Sequence, residues 1–153
     1  MLVREVMTHR AEVIGPDESL EAAARRMREA GVGALAVCEG GRAVGILTDR
    51  DIVVRGIASG RSPSATPVRS AMTSQIVACR EDEDLAGAAV RMQAGTVRRL
   101  LVVDAADRLL GLLSVDDIAL HSSSLAGEIL ERARAPERPV HRGPWSWWEE
   151  PAT

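Results

Sequence analysis

The 153-residue chain has no phenylalanine and no tyrosine, and its three tryptophans, Trp145, Trp147 and Trp148, all lie in the last ten residues. Any core built by the rest must therefore be aliphatic, of Val, Leu, Ile, Ala and Met. Lysine is missing too: all 19 basic residues are arginine, a usage to which we attach no mechanism. No apolar run reaches the ~18 residues needed to span a bilayer. Met1-Leu2-Val3-Arg4-Glu5 lacks the apolar core of a signal peptide, so the cytoplasm is the expected compartment. The only two cysteines, Cys38 and Cys79, each end an apolar run. Their spacing fits no metal or redox motif, and both are expected to be buried free thiols. The net charge of −3 excludes nucleic-acid binding through a general basic field. His9, His121 and His141 are scattered, and no nucleophile–base pair or metal-ligand cluster is visible. The expectation is a protein that is not an enzyme and has no obligatory cofactor.

What the chain does have is a repeat. Gly45-Ile46-Leu47-Thr48-Asp49-Arg50-Asp51 and Gly111-Leu112-Leu113-Ser114-Val115-Asp116-Asp117 share the pattern Gly, two aliphatics, Thr or Ser, two variable residues, Asp. Met7-Thr8 recurs as Met72-Thr73, Asp17-Glu18 as Asp82-Glu83, Leu20 as Leu85, and Met27 as Met92. The shift is 65 positions, then 66 once Glu39-Gly40-Gly41-Arg42 gives way to the longer Asp104–Arg108. Internal similarity of this kind means a duplicated structural unit. One such unit of about 60 residues buries too little surface to be stable alone, so the two are expected to pack together.

Within the first unit, Glu12-Val13-Ile14 reads as a short extended piece. Pro16 before an acidic turn announces a helix, and Leu20, Ala23, Ala24, Met27 and Ala30 fall at helical spacing until Gly31 and Gly33. Ala34–Cys38 and Ala43–Leu47 read as strands joined by a Gly-Gly hairpin. Thr48 or Asp49 caps a second helix running to about Ala58. The second unit repeats this order: extended Ile76–Cys79, a helix carrying Leu85, Ala88, Ala89 and Met92, strands Leu100–Val103 and Leu109–Leu113, and a helix from Ser114. A further helix, capped by Ser124, is expected over Leu125 to about Arg134, and a flexible tail after it. The expected division is a first unit over 1–60, a linker over 61–67, a second unit over 68–121, a C-terminal helix over 122–135 and a Trp-containing tail over 136–153.

The residues Val6-Met7-Thr8, Pro16-Asp17-Glu18, the stripe ending at Met27, Gly31–Leu35 and Gly45–Asp51, together with Met72-Thr73, Asp82-Glu83, Val97–Asp104 and Gly111–Asp117, resemble a pair of CBS domains, the arrangement called a Bateman module. The similarity spans about residues 3–120 and is nearest to the small stand-alone two-CBS proteins of bacteria. It implies an α+β fold of two βαββα units packed about a pseudo-twofold axis. It also implies two clefts that in many members hold adenosine compounds (AMP, ADP, ATP or S-adenosylmethionine), and frequent pairing of modules into homodimers.

A strand running into a helix leaves free backbone N–H groups at the junction. There the hydroxyl of Thr48 or Ser114 can donate to a phosphate or ribose oxygen. Asp51 and Asp117, three residues on, can accept from the two ribose hydroxyls, which is the role the family motif gives this Asp. Gly45 and Gly111 allow a ligand or a neighbouring strand to come close. Val13-Ile14 and Ile76-Val77 are the expected walls for an adenine ring. Arg98 and Arg99 are expected to meet phosphate beside the second unit's motif, leaving the first unit, with Gly33 and Ala34 at those positions, the weaker cleft. The expected function is a regulatory sensor that binds an adenine nucleotide and relays this through dimer packing to an effector protein, without nucleic acid or membrane. The alternative is a ligand-free dimerisation or interaction scaffold that uses the tryptophans.

Overall fold

The computed structural model describes residues 1–134. Its elements are β1 (Thr8–His9), β2 (Val13–Ile14), α1 (Leu20–Ala30), β3 (Ala34–Glu39), β4 (Arg42–Thr48), α2 (Asp49–Asp51), β5 (Ala78–Arg80), α3 (Leu85–Gly95), β6 (Arg99–Val103), β7 (Leu109–Ser114), α4 (Val115–Ala119) and α5 (Ser123–Arg134). Two similar α+β units result, as the repeat implies. The predicted tail and its tryptophans lie outside the described residues.

Local chemistry explains most boundaries. The Ser19 hydroxyl accepts from the Ala22 N–H at 3.0 Å to start α1, and Gly31, at φ +66°, ends it. Leu20, Ala23 and Met27 are buried, whereas Ala24 and Ala30 are exposed, so α1 buries a narrower stripe than the spacing suggests. In α3 the whole predicted stripe, Leu85, Ala88, Ala89 and Met92, is buried. The β3–β4 hairpin turns through Gly40 and Gly41, at φ +58° and +79°. Two positive φ angles match the strand twist and strongly favour glycine. Helix α2 continues into a wider π-type turn over Ile52–Gly56 and a 3-10 turn over Ile57–Ser59. Gly56 lets Leu20 seat against this backbone, since a Cβ there would lie 2.8 Å from Leu20 Cδ1.

The lead-in segments are exchanged between units. Val3, Val6 and Met7 sit in the core of the second unit with Leu85, Met92 and Leu100. Val68 and Ala71 sit in the core of the first with Ile14, Leu35 and Leu47. The Val3 N–H donates to Glu83 O, and the Leu85 N–H to Met1 O, each at 2.9 Å. Val3 and Val68 are fully buried, each contributing about 1.5–3 kcal/mol, so each unit's core is completed by the other half of the chain.

The sheets follow the same rule. One has the order β1-β7-β6-β5, the other β2-β3-β4. Strand β1 pairs antiparallel with β7 of the other unit, Thr8 opposite Leu112 and His9 opposite Gly111. Reciprocally, Thr73 bridges to Ile46 of β4. Within each unit the first strand is parallel to the second and the hairpin antiparallel.

Helix α5 closes one side of the second unit, with Ala126 and Ile129 buried in that core. Its first turn is capped by the Ser122 hydroxyl, which accepts from the Leu125 N–H at 3.4 Å. The expected cap, Ser124, lies inside the helix. Among the described residues no equivalent element covers the first unit, where Val53, Val54 and Ile57 are exposed. Among the described residues no helix is long and apolar enough to cross a membrane.

Candidate functional site

Each strand-to-helix junction is closed by a reciprocal capping box. The Thr48 hydroxyl accepts from the Asp51 N–H at 3.1 Å, and Asp51 Oδ2 accepts from the Thr48 N–H at 2.9 Å. Ser114 and Asp117 repeat both bonds, at 3.1 and 2.8 Å. Each carboxylate thus spends Oδ2 on its own helix start and has no hydrogen bond to Oδ1 among the described residues. The junctions differ in one respect. The Ser114 hydroxyl also donates to Asp117 Oδ2 at 2.7 Å, whereas Thr48 makes no such bond among the described residues.

Two clefts lie between the units, each joining the helix start of one unit to the lead-in of the other. The first, of about 390 Å3, brings Thr48, Asp49, Arg50 and Asp51 against Thr73, Gln75, Ile76 and Val77, with Val97, Arg98, Arg99 and Leu101 behind them. The second, of about 300 Å3, brings Ser114, Asp116 and Asp117 against Thr8, Ala11 and Glu12, with Gly31–Ala34 and Arg99. Ligand clefts typically start at about 300 Å3, so the Thr48 cleft is the roomier of two small sites.

The predicted residues divide accordingly. Thr48, Asp51, Ile76, Val77, Arg98 and Arg99 line the Thr48 cleft together, and Ser114, Asp117 and Arg99 line the other. Val13 and Ile14 line neither: Ile14 is only 2 % exposed within the first core, and Val13 stands out to solvent. The wall opposite Ser114 is Ala11-Glu12. The repeat's own shift of 65 positions equates these, not Val13-Ile14, with Ile76-Val77. The predicted extended piece Ile76–Cys79 accordingly pairs only from Ala78, which leaves Ile76 and Val77 to the cleft.

Gly45 and Gly111 face the exchanged lead-ins instead of the clefts. A Cβ on Gly45 would stand 2.8 Å from Met72 Sδ and 2.9 Å from Thr73 O, and one on Gly111 2.4 Å from Thr8 O. Of the two roles open to these glycines, the close approach of a strand is the one realised.

The assignment of Arg98 to the second unit's motif is also corrected, whereas Arg99 does line that motif's cleft as well as the other. Their backbone does adjoin it, since the Arg98 carbonyl accepts from the Val115 N–H at 3.0 Å. Arg98 itself, however, lines the cleft of Thr48 and Asp51. Arg50, which was not singled out, lines it too, and its counterpart in the other cleft is Asp116. The Thr48 cleft therefore carries three arginines against two carboxylates. The Ser114 cleft carries Arg99 alone against Glu12, Asp116 and Asp117. None of the three arginines enters an ion pair among the described residues.

Among the described residues no group of His, Cys, Asp and Glu could hold a metal ion. His9 Nε2 lies 3.0 Å from the Arg4 carbonyl oxygen. Cys79 is buried as expected, but Cys38 is only partly so.

Known proteins show the same architecture. The CBS domain family matches residues 3–56 and 68–124, and the chain belongs to that family. It is 34% identical over 122 residues to the CBS domain-containing protein YhcV of Bacillus subtilis, covering 80% of this chain and 86% of that protein. The CBS domain protein TA0289 of Thermoplasma acidophilum superimposes with a TM-score of 0.80 at 26% identity, covering 88% of this chain and 77% of that one. PAE2072 of Pyrobaculum aerophilum, a CBS domain protein solved in complex with AMP, superimposes with a TM-score of 0.73 at 18% identity, over 86% and 99% of the two chains.

Proposed function

We propose that the chain is a non-catalytic regulatory module that binds a phosphorylated adenosine nucleotide in the Thr48 cleft. The observation that supports this most is the lining of that cleft. Among the described residues, a hydroxyl that donates to no protein group, a carboxylate whose Oδ1 makes no hydrogen bond and lies 4.0 Å from Arg55 Nε, and three guanidinium groups without an ion pair meet in one site between the units. Asp51 Oδ1 accepts from the ribose hydroxyls. Ile76, Val77 and Val97 sandwich the base, and Gln75 reads its edge. Arg50, Arg98 and Arg99 hold the phosphates, Arg being suited to bidentate phosphate contacts. Three positive charges favour a di- or triphosphate over the sulfonium of S-adenosylmethionine. The AMP bound by PAE2072 belongs to the same ligand class.

The relay runs through the helical segment that begins at this cleft. Asp49–Ser59 starts beside the ligand and carries Val53, Val54 and Ile57 on an apolar face left bare among the described residues. The equivalent face of the second unit is closed by α5. We assign the bare face to homodimer contact, so that occupancy of the cleft is felt in subunit packing. A ligand shifts that packing only by its difference in affinity for the two states.

Thermal melts with AMP, ADP, ATP and S-adenosylmethionine test the reading. At a hundredfold excess over its dissociation constant a ligand adds about 2.7 kcal/mol, which for a fold of this size raises Tm by roughly 5–11 °C. The expected order is ATP and ADP above AMP, with S-adenosylmethionine last. A flat response to all four refutes it.

A further inference from the structure

We infer that Arg99 is shared by the two clefts and makes them mutually exclusive for phosphorylated ligands, an inference that rests on the nucleotide reading above. Arg99 opens β6, is partly buried, and is the residue common to the linings of both clefts. Its backbone pairs with Ser114 across the β6–β7 ladder, while the residue also borders the cleft of Thr48 and Asp51. The guanidinium makes no ion pair and no side-chain hydrogen bond among the described residues, so nothing in the protein holds it to one side.

The pseudo-twofold relation of the units makes this arrangement unusual. The counterpart of Arg99 in the first unit is Ala34, which pairs with Thr48 as Arg99 pairs with Ser114. A symmetric module would place one cation at each of these positions. Here there are two clefts and one cation between them. The clefts are also unequal in what remains when that cation is engaged. The Thr48 cleft keeps Arg50 and Arg98, while the Ser114 cleft keeps only Glu12, Asp116 and Asp117.

A guanidinium fork that grips a phosphate bidentately in one cleft is withdrawn from the other. A phosphorylated nucleotide in the Thr48 cleft therefore leaves a second one facing three carboxylates and no counter-charge. Loss of one charge-assisted contact alone weakens binding about tenfold to a hundredfold, and the bare carboxylates add repulsion. The coupling is reciprocal, since it is a free energy between two sites. It also depends on ligand charge. A neutral adenosine makes no claim on Arg99 and is not excluded by a nucleotide in the neighbouring cleft.

Calorimetry of the full chain with ADP and with adenosine as probes tests this, with the amide resonances of Thr48 and Ser114 reporting which cleft fills. The wild type is expected to take one ADP per chain at the Thr48 cleft, a second binding at least tenfold more weakly. Arg98→Glu sets a carboxylate against the phosphate and is expected to move the single ADP to the Ser114 cleft. The double variant Arg98→Glu/Arg99→Gln is expected to lose that second mode by tenfold or more. Both changes are at solvent-accessible arginines outside the core, and the melt of each variant confirms its fold. Two ADP of equal affinity in the wild type overturn the sharing and leave the nucleotide reading standing. So does binding at the Ser114 cleft that is indifferent to Arg99, or an Arg98→Glu chain that takes no ADP at all. Absence of ADP binding by the wild type overturns the nucleotide reading and the sharing with it.

Discussion

Replacing Gly111 by alanine should damage the joint between the two units more than any other single methyl group. A Cβ at this position would lie 2.4 Å from the Thr8 carbonyl oxygen and 2.9 Å from Met7 Cε. Ordinary contact begins near 3.4 Å, so β1 must retreat by about 1 Å. That strand is two residues long and cannot absorb the shift along its length. Retreat strains the pairing of Thr8 with Leu112 and of His9 with Gly111, together with the Arg10 N–H bond to Leu110 O at 3.3 Å. It also lifts Met7 out of the core of the second unit.

Two weakened backbone bonds cost about 1 kcal/mol each, and overpacking adds ~1–3 kcal/mol. The lower unfolded-state entropy of alanine returns about 0.4–1 kcal/mol. The net destabilisation is about 2–4 kcal/mol, a large part of the ~5–15 kcal/mol that holds a small domain together. Gly45→Ala is the internal comparison. Its Cβ meets Thr73 O at 2.9 Å and the flexible Met72 thioether at 2.8 Å, a milder clash, and the expected cost is about 1–2 kcal/mol. Urea unfolding at constant m measures both. A Gly111→Ala chain as stable as the wild type, or more stable than Gly45→Ala, would show that the exchanged lead-in is not a tight joint.

Other expectations follow from single contacts. Ile129→Ala should cost about 2–5 kcal/mol in urea unfolding because Ile129 is buried where α5 meets the second core. Leu120→Ala, at 84 % exposure, should stay within about 0.5 kcal/mol of wild type. Thr48→Val and Ser114→Ala should each cost about 1 kcal/mol of stability through the lost cap. Only Thr48→Val should weaken ADP binding in calorimetry, by about tenfold, because the Ser114 proton is already given to Asp117. Burial, and secondarily Glu83, push the Cys79 thiol from 9.0 up to about 11 against a smaller opposing pull from Arg91. The folded protein thus binds this proton more tightly than the unfolded chain. The corresponding stability is complete below pH 9 and is lost as pH rises towards 11, about 2–3 kcal/mol in all. Chemical denaturation between pH 8 and 11 should show that fall in the wild type and a shallower one in Cys79→Ala.

The repeat made the order of helices and strands legible, because the stripe of α3, the helix starts at Thr48 and Ser114, and the Gly40-Gly41 turn are all local signals. The exchange of lead-ins was not. A strand of two residues has no period to read, and nothing within Met7-Thr8 or Met72-Thr73 says which unit will receive it. The one trace is indirect: Gly45 and Gly111 recur where positive φ is not needed, so their role is to admit a neighbour. Arg98 was misplaced for a related reason. Its backbone adjoins Val115 of its own unit while the residue lines the cleft of Thr48, and neighbourhood along the chain reports the first fact only.

The functional asymmetry was nevertheless written in the repeat, in the comparison of equivalent positions and not in either motif alone. The two Gly-x-x-[Thr/Ser]-x-x-Asp segments agree wherever the fold needs them to agree: at the glycine that admits the lead-in, at the hydroxyl that caps, and at the Asp that closes the box. They diverge at the two variable positions, where Asp49 gives way to Val115 of the second core and Arg50 to Asp116. Arg50 stands opposite Asp116, Val77 opposite Glu12, Arg98 opposite Gly33 and Arg99 opposite Ala34. A scaffold indifferent to ligands would have no reason to sort its charges so that one cleft gains arginines and the other carboxylates. Each of these four differences changes the charge of a cleft and none changes a cap, although Ala34 is buried. Converting Arg50 to Asp, the residue its counterpart position carries, should accordingly abolish ADP binding at the Thr48 cleft by tenfold or more while shifting the urea midpoint little. A variant that loses stability and keeps its affinity would place Arg50 in the fold and not in the site.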